Sequence, residues 1–265
     1  MQLGQLRRLP KWLLSRLGRA PSRFVPEVIY PDDTFLVSFP KSGNTWVKFM
    51  LAYLTRPPGL HIDFHSVLRV IPEVNRDIDE IKQLARPRIM KSHAAFQPQF
   101  PKVIYLVRDG RDAYVSYYHF RRKQLPPGTT FAQYLAMDDH WPCSWSRHVT
   151  SWLDAGLGSI RFLLVRYENL HRAPESELRT IASFINLQVT DGQIREAVKR
   201  SSFELMQEVE RVKGHPRSER FSGRFVRRGR VGGWRDHFDA EATSIFKAKE
   251  NEALLRLGYE SAPNW

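Results

Sequence analysis

The chain has 265 residues, 42% of them hydrophobic, which is enough to fill one sizeable core. Its 41 Lys and Arg against 28 Asp and Glu give a net charge of +13, a field that attracts phosphate, sulfate, nucleic acid or an anionic membrane surface. One cysteine, Cys143, excludes an intrachain disulfide framework and fits the cytoplasm, and no apolar run reaches the roughly 20 residues needed to cross a bilayer.

Residues 1–23 carry Arg7, Arg8, Lys11, Arg16, Arg19 and Arg23 and no acid, so we read 1–30 as a basic N-terminal arm and 31–265 as one domain. Pro10, Lys11, Ser15 and Arg16 interrupt the apolar core of a secretory signal. Trp12, Leu13, Leu14 and Leu17 offer an apolar face for peripheral membrane contact, and a disordered arm fits these residues equally well.

"TFLVSF" (34–39) is short, β-rich and continuously apolar, the pattern of a strand buried on both faces. After the turn "PKSGNTW", Val47, Met50, Leu51 and Leu54 fall at helical spacing, and Pro57 and Pro58 end the segment. From 59 to 88 the chain reads as loops with one polar helix over 77–85. A second buried strand, "KVIYLVR" (102–108), runs into a helix over 109–120, with Ala113, Ser116, Tyr117 and Phe120 on one side.

"QLPPGTTF" (124–131) is a loop, and Trp141, Trp145 and Trp152 belong to packed helices. A third strand, "RFLLVRY" (161–167), precedes a helix over 175–185. A final helix over 240–259 closes at Gly258. Strands alternating with helices predict an α/β domain with a central, mostly parallel sheet flanked by helices.

At the end of a parallel strand, the start of the next helix presents free N–H groups to anions. Gly43 lets the "PKSGNTW" backbone approach a ligand, Ser42, Asn44 and Thr45 add polar groups, and Lys41 adds a cation, which suits a phosphate. Lys41 precedes the glycine, so the loop is not a Walker A motif. A plain tight turn is the alternative. Arg108 at the second strand end and Ser116 two turns into its helix would grip another anion; a salt bridge from Arg108 to Asp109 or Asp112 is the alternative there.

"FPKSGNTW" and "YLVRDGRDAYVSYYHF", followed in order by "SWSRHVTSW", "VRYENL", "SSFELM" and "FVRRGRVGGWRDHF", with "MKSH" between the first two, resemble the cytosolic-type sulfotransferases. These enzymes use 3′-phosphoadenosine 5′-phosphosulfate (PAPS). The resemblance implies that Lys41, Ser42, Gly43, Asn44 and Thr45 hold the 5′-phosphosulfate and that Trp46 stacks on adenine. It places Arg108 and Ser116 on the 3′-phosphate, Tyr167, Ser201 and Phe203 around the adenine, and Arg227, Arg228 and Gly229 in a loop closing over the 3′-phosphate. Asn44 stands where the family more often has Thr, and Gly233 where it usually has an acid.

Transfer to a hydroxyl or amine acceptor needs a base and positive charge at the leaving oxygen. The resemblance assigns His93 as the base; Lys41 would face the leaving phosphate oxygen and Lys91 the sulfuryl group. No His, Cys, Asp and Glu cluster has metal-ligand spacing, so no metal is expected. The acceptor is a small molecule, a lipid or a glycan, approached by the stretches 61–74, 124–145 and 209–225, with Phe64, Phe96, Tyr118 and Trp141 as apolar candidates. No specific nucleic acid partner is expected, and the oligomeric state stays open. The rival readings are a P-loop-like small-molecule kinase and a non-catalytic polyanion binder.

Overall fold

The structure, a computed structural model, describes residues 25–56, 59 and 61–265. The basic residues Arg7 to Arg23, the apolar face of the arm and the prolines 57 and 58 lie outside the described residues. Val25 and Ile29, at the end of the segment read as an arm, pack against the core.

Four parallel strands form the sheet, in the order β2-β1-β3-β4. They are β1 (Thr34–Val37), β2 (Ile89–Ser92), β3 (Val103–Val107) and β4 (Phe162–Arg166). β1 and β3 are buried along their whole length, which is why they read as continuous apolar runs. Successive side chains point to opposite faces. Phe35 and Val37 of β1, with Val103, Tyr105 and Val107 of β3, enter one core, whereas Leu36, Ile104 and Leu106 enter the other.

The first core is closed by α4 (Gly110–Arg121), α5 (Phe131–Ala136), α6 (Trp145–Gly156) and α11 (Ala240–Arg256). The second is closed by α1 (Asn44–Thr55), α7 (Tyr167–Arg172), α8 (Pro174–Phe184) and α9 (Asp191–Arg200). In α1 the buried residues Val47, Met50, Leu51 and Leu54 make that contact, as their spacing predicts. A smaller cluster joins Phe49 and Ala52 of α1 to Ile62, Phe64, Val67 and Met206.

The α/β reading and its strand-loop-helix unit are borne out, with three differences. β2 was not expected: "IMKS" buries only Met90 and Ser92, and its partner strand lies more than fifty residues earlier. The 209–225 stretch begins inside α10 (Phe203–Lys213), which, like α9, went unread because both helices are polar outside. Trp141 precedes α6 and is not helical. The remaining short helices, α2 (Ser66–Val70) and α3 (Ile78–Gln83), cross the segment between β1 and β2.

Candidate active site

At the carboxyl ends of β1 and β3 lies a cavity of about 560 Å3. Every catalytic and donor-site residue proposed from sequence lines it except Ser42, whose hydroxyl is buried. The β1 to α1 turn bends sharply: Lys41 has φ 66° and Gly43 has φ 102°. A β-carbon on Gly43 would lie 2.6 Å from the Tyr167 ring, so this turn requires glycine twice over, for its φ and for that close approach. At the start of α1 the Trp46 N–H already donates to the Gly43 carbonyl at 3.0 Å, whereas Asn44 and Thr45, whose N–H groups lie before the first helical acceptor, line the cavity.

Polar atoms without partners gather here. Ser42 Oγ, both amide atoms of Asn44, Trp46 Nε1, Arg108 Nε and Ser201 Oγ are buried and have no hydrogen-bond partner among the described residues. Each such group costs on the order of 1–3 kcal/mol if nothing binds it. Their positions around one cavity match a polar, anionic occupant with an aromatic part. The Trp46 ring meets Tyr167 edge-on at 6.0 Å, and Phe203 lies against Gly229.

Arg108 makes the salt bridge its sequence context offered as the alternative, to Asp112, and keeps its buried Nε without a partner among the described residues. Its Nη2 lies 3.6 Å from Asp112 and donates to the Arg230 carbonyl, its Nη1 donates to the Lys41 carbonyl, and its guanidinium covers the Tyr167 ring at 4.3 Å. Asp109 turns instead to Arg111. Asp112 also accepts from the N–H groups of Gly232 and Trp234, both at 2.8 Å, and so fastens the late arginine loop to α4. At the loop's other end, Glu210 accepts from Phe225 and Val226 N–H. The Tyr167 hydroxyl donates to the Gly229 carbonyl at 2.9 Å. Arg227 is half-buried, Arg228 is exposed and reaches Asp236 at 3.6 Å, and Ser116 is half-buried on α4.

Lys41 Nζ sits 3.7 Å from the centre of the Phe225 ring and 4.9 Å from that of Phe120. Enclosure, then the charges of Arg108, Lys91 and Arg227, push its ammonium down to about 7. His93 Nδ1 is 2.7 Å from the Ser38 carbonyl. A carbonyl only accepts, so Nδ1 carries the proton and Nε2 keeps a lone pair. Burial, followed by the charge of Lys91, pushes this imidazole down to about 3, so it is neutral at pH 7.

Lys91 is not a free cation: its Nζ is 3.1 Å from Glu73 Oε2, which also takes Arg217 at 2.8 Å. Sequence reasoning missed Glu73, Arg217 and Glu210, and it named Asp112 only as a partner of Arg108, because their other partners come from remote segments. It also missed the support behind His93. His148 Nε2 donates to the His93 carbonyl at 3.2 Å while its Nδ1 accepts from the Tyr105 hydroxyl, and Trp152 Nε1 donates to the Ala94 carbonyl. Of the expected apolar residues, Phe64 and Trp141 line the cavity; Phe96 packs on Trp152, and Tyr118 donates to Thr129 away from it.

Among the described residues no cluster of His, Cys, Asp and Glu could hold a metal ion, and no helix is long and apolar enough to cross a membrane.

The family model described as sulfotransferase domain matches residues 31–257. Human "Sulfotransferase 1C2" is 27% identical over 241 residues, covering 82% of this chain and 81% of that protein. Bovine "Sulfotransferase 1A1" is 29% identical over 245 residues, covering 83% and 82%. Among solved structures, mouse sulfotransferase SULT7A1 complexed with PAP superposes with a TM-score of 0.67 at 24% identity, over 89% of this chain and 88% of that one. Retinol dehydratase in complex with androsterone and inactive cofactor PAP gives 0.61 at 19%, over 82% and 79%. At these identities the two superpositions speak to the fold.

Proposed function

The chain belongs to the sulfotransferase family, and from that premise we propose that it transfers a sulfuryl group from PAPS to a hydroxyl, with His93 as the general base. The observation that carries the donor assignment is the ring of unpartnered buried polar atoms on Ser42, Asn44, Trp46, Arg108 and Ser201, contributed by three separate segments to one place. When bound, PAPS supplies the activated sulfuryl group on a phosphate leaving group.

The protein's own residues then divide the work. The 41–45 turn meets the 5′ end with N–H groups, hydroxyls and the Lys41 ammonium. Arg108, Ser116, Arg227, Arg228 and the Gly229 backbone meet the 3′-phosphate. Trp46, Tyr167, Ser201 and Phe203 enclose the adenine. His93 Nε2 takes the hydroxyl proton as the acceptor oxygen bonds to sulfur, and Lys41 stabilises the oxygen released as the old sulfur–oxygen bond breaks. Lys91, shared with Glu73, adds positive charge beside the base. We place the protein in the cytoplasm, which its single, half-buried cysteine fits, and we take the acceptor as a small molecule, since the fold relative that carries androsterone is a small-molecule binder.

Calorimetric titration with 3′-phosphoadenosine 5′-phosphate (PAP), AMP and ATP in EDTA tests the donor site. The expected result is binding that needs the 3′-phosphate and no metal. Equal affinity for AMP and PAP would remove the grip assigned to Arg108, Ser116 and the late loop, and magnesium-dependent ATP turnover would favour a kinase.

A further inference from the structure

We propose that the acceptor carries an anionic group of its own, held by Lys48 on the acceptor side of the cavity. This rests on the sulfotransferase reading and names its substrate class.

Lys48 lies on α1, one helical turn beyond Asn44, on the face that continues the 41–45 turn into the cavity. It is only 4% exposed and has no hydrogen bond, ion pair or aromatic ring of its own among the described residues. Its neighbours leave it so. Glu73 is taken by Lys91 at 3.1 Å, Arg217 at 2.8 Å and Arg76 at 3.5 Å, and Asp77 is taken by Arg217 at 3.0 Å. Three cations therefore already share two carboxylates, and Lys48 is a fourth.

Burial, and next the charge of Lys91, push its ammonium down to about 7. An unpaired ammonium in such a place is costly, and an anion brought by a ligand relieves the cost. Without one, an apolar residue of the same length would serve this helix better, since its flanking residues Val47 and Phe49 are fully buried in apolar clusters.

The donor does not account for Lys48. The charges that bear on Lys41 are Arg108, Lys91, Arg227 and Glu210; those that bear on Lys48 are Lys91, Glu73, Asp77 and Arg217. Lys91, the residue two positions before the base, is common to both and both lysines bear on His215, but only Lys48 has Glu73, Asp77 and Arg217 among its strongest charged neighbours. An acceptor with its hydroxyl at His93 would rest its body on Phe64 and Trp141 and turn its anionic group to Lys48.

The test uses protein saturated with PAP, so that no anion can enter the donor site. Three probes are titrated by calorimetry: 4-hydroxyphenylacetate, 4-hydroxybenzylphosphonate and the neutral 4-hydroxyphenylacetamide. At least one anionic probe is expected to bind about tenfold or more tightly than the amide, the scale of one hydrogen bond to a charged group. Whichever anion wins identifies a carboxylate or a phosphate-like acceptor. Lys48→Met, which keeps the apolar stem, is expected to erase the preference and leave PAP affinity unchanged. Lys48→Gln replaces it if that variant does not fold.

Equal binding of acid and amide, no binding of any probe, or a preference that survives both variants overturns the proposal. Displacement of PAP by the anions does so too, because it assigns Lys48 to the donor. If PAP fails to bind the wild-type protein, the donor reading is what falls; the same acid-to-amide ratio, measured on the free protein, then decides Lys48 by itself.

Discussion

Gly229→Ala separates a functional glycine from a merely permissive one. Gly229 has φ +61° and Gly223, six residues earlier in the same loop, has φ +72°. An alanine in this left-handed region costs roughly 1–2 kcal/mol at either site. Their surroundings differ. A β-carbon at 223 meets nothing within 4 Å, whereas one at 229 lies 2.8 Å and 3.0 Å from two carbons of the Phe203 ring. Ordinary contact begins near 3.4 Å, so the ring or the loop must yield by several tenths of an ångström. Forcing a methyl into such a contact costs about 1–3 kcal/mol more.

In the free protein the loop can relieve the clash by lifting away, which also loosens the bond from the Tyr167 hydroxyl to the Gly229 carbonyl. Donor binding must bring it back. The extra cost then appears in affinity: PAP is expected to bind Gly229→Ala about five- to 150-fold more weakly than Gly223→Ala, by the conversion of about 1.4 kcal/mol per tenfold. Calorimetry gives the affinities, and thermal unfolding shows whether both variants are folded. Equal PAP affinity in two folded variants would refute the argument that this glycine, by its contact with Phe203, shapes the donor site.

His93→Ala is expected to lower transfer by about 10²–10⁴-fold while PAP binds as before, measured by labelled-donor turnover and calorimetry; normal turnover removes His93 from the chemistry. Lys41 makes donor binding pH-dependent. Its ammonium is held down to about 7, so the charged form is lost as pH rises through that value, and a bound anion raises it again. PAP binding is therefore expected to take up a proton and to weaken between about pH 7 and pH 9, seen by calorimetry in buffers of different ionisation enthalpy. Lys41→Arg flattens that dependence, because guanidinium does not titrate there; a flat profile in the wild type contradicts the enclosure that shifts Lys41.

Much of the framework was legible because its signals are local. "TFLV" and "VIYLV" announce buried strands, Val47, Met50, Leu51 and Leu54 mark one helix face, and the 41–45 turn sits between a strand and a helix in plain order. α9 had a readable start that was passed over: Thr190 and Gln193 form a reciprocal capping pair. Motif order was enough to name the family and to list many, though not all, of the residues that line the cavity.

The sequence by itself thus determined the strand-turn-helix units and the chemical types offered at their ends, since both follow from neighbours a few positions apart. Only the tertiary structure decided who meets whom. It seats Asp112 under the N–H groups of Gly232 and Trp234, gives Glu73 to Lys91 and Arg217, fixes the His93 tautomer on the Ser38 carbonyl, and leaves Lys48 buried without a counter-ion among the described residues. Those outcomes depend on burial and on contacts between residues as many as 144 positions apart, as in Arg217 on Glu73, and no local pattern encodes them.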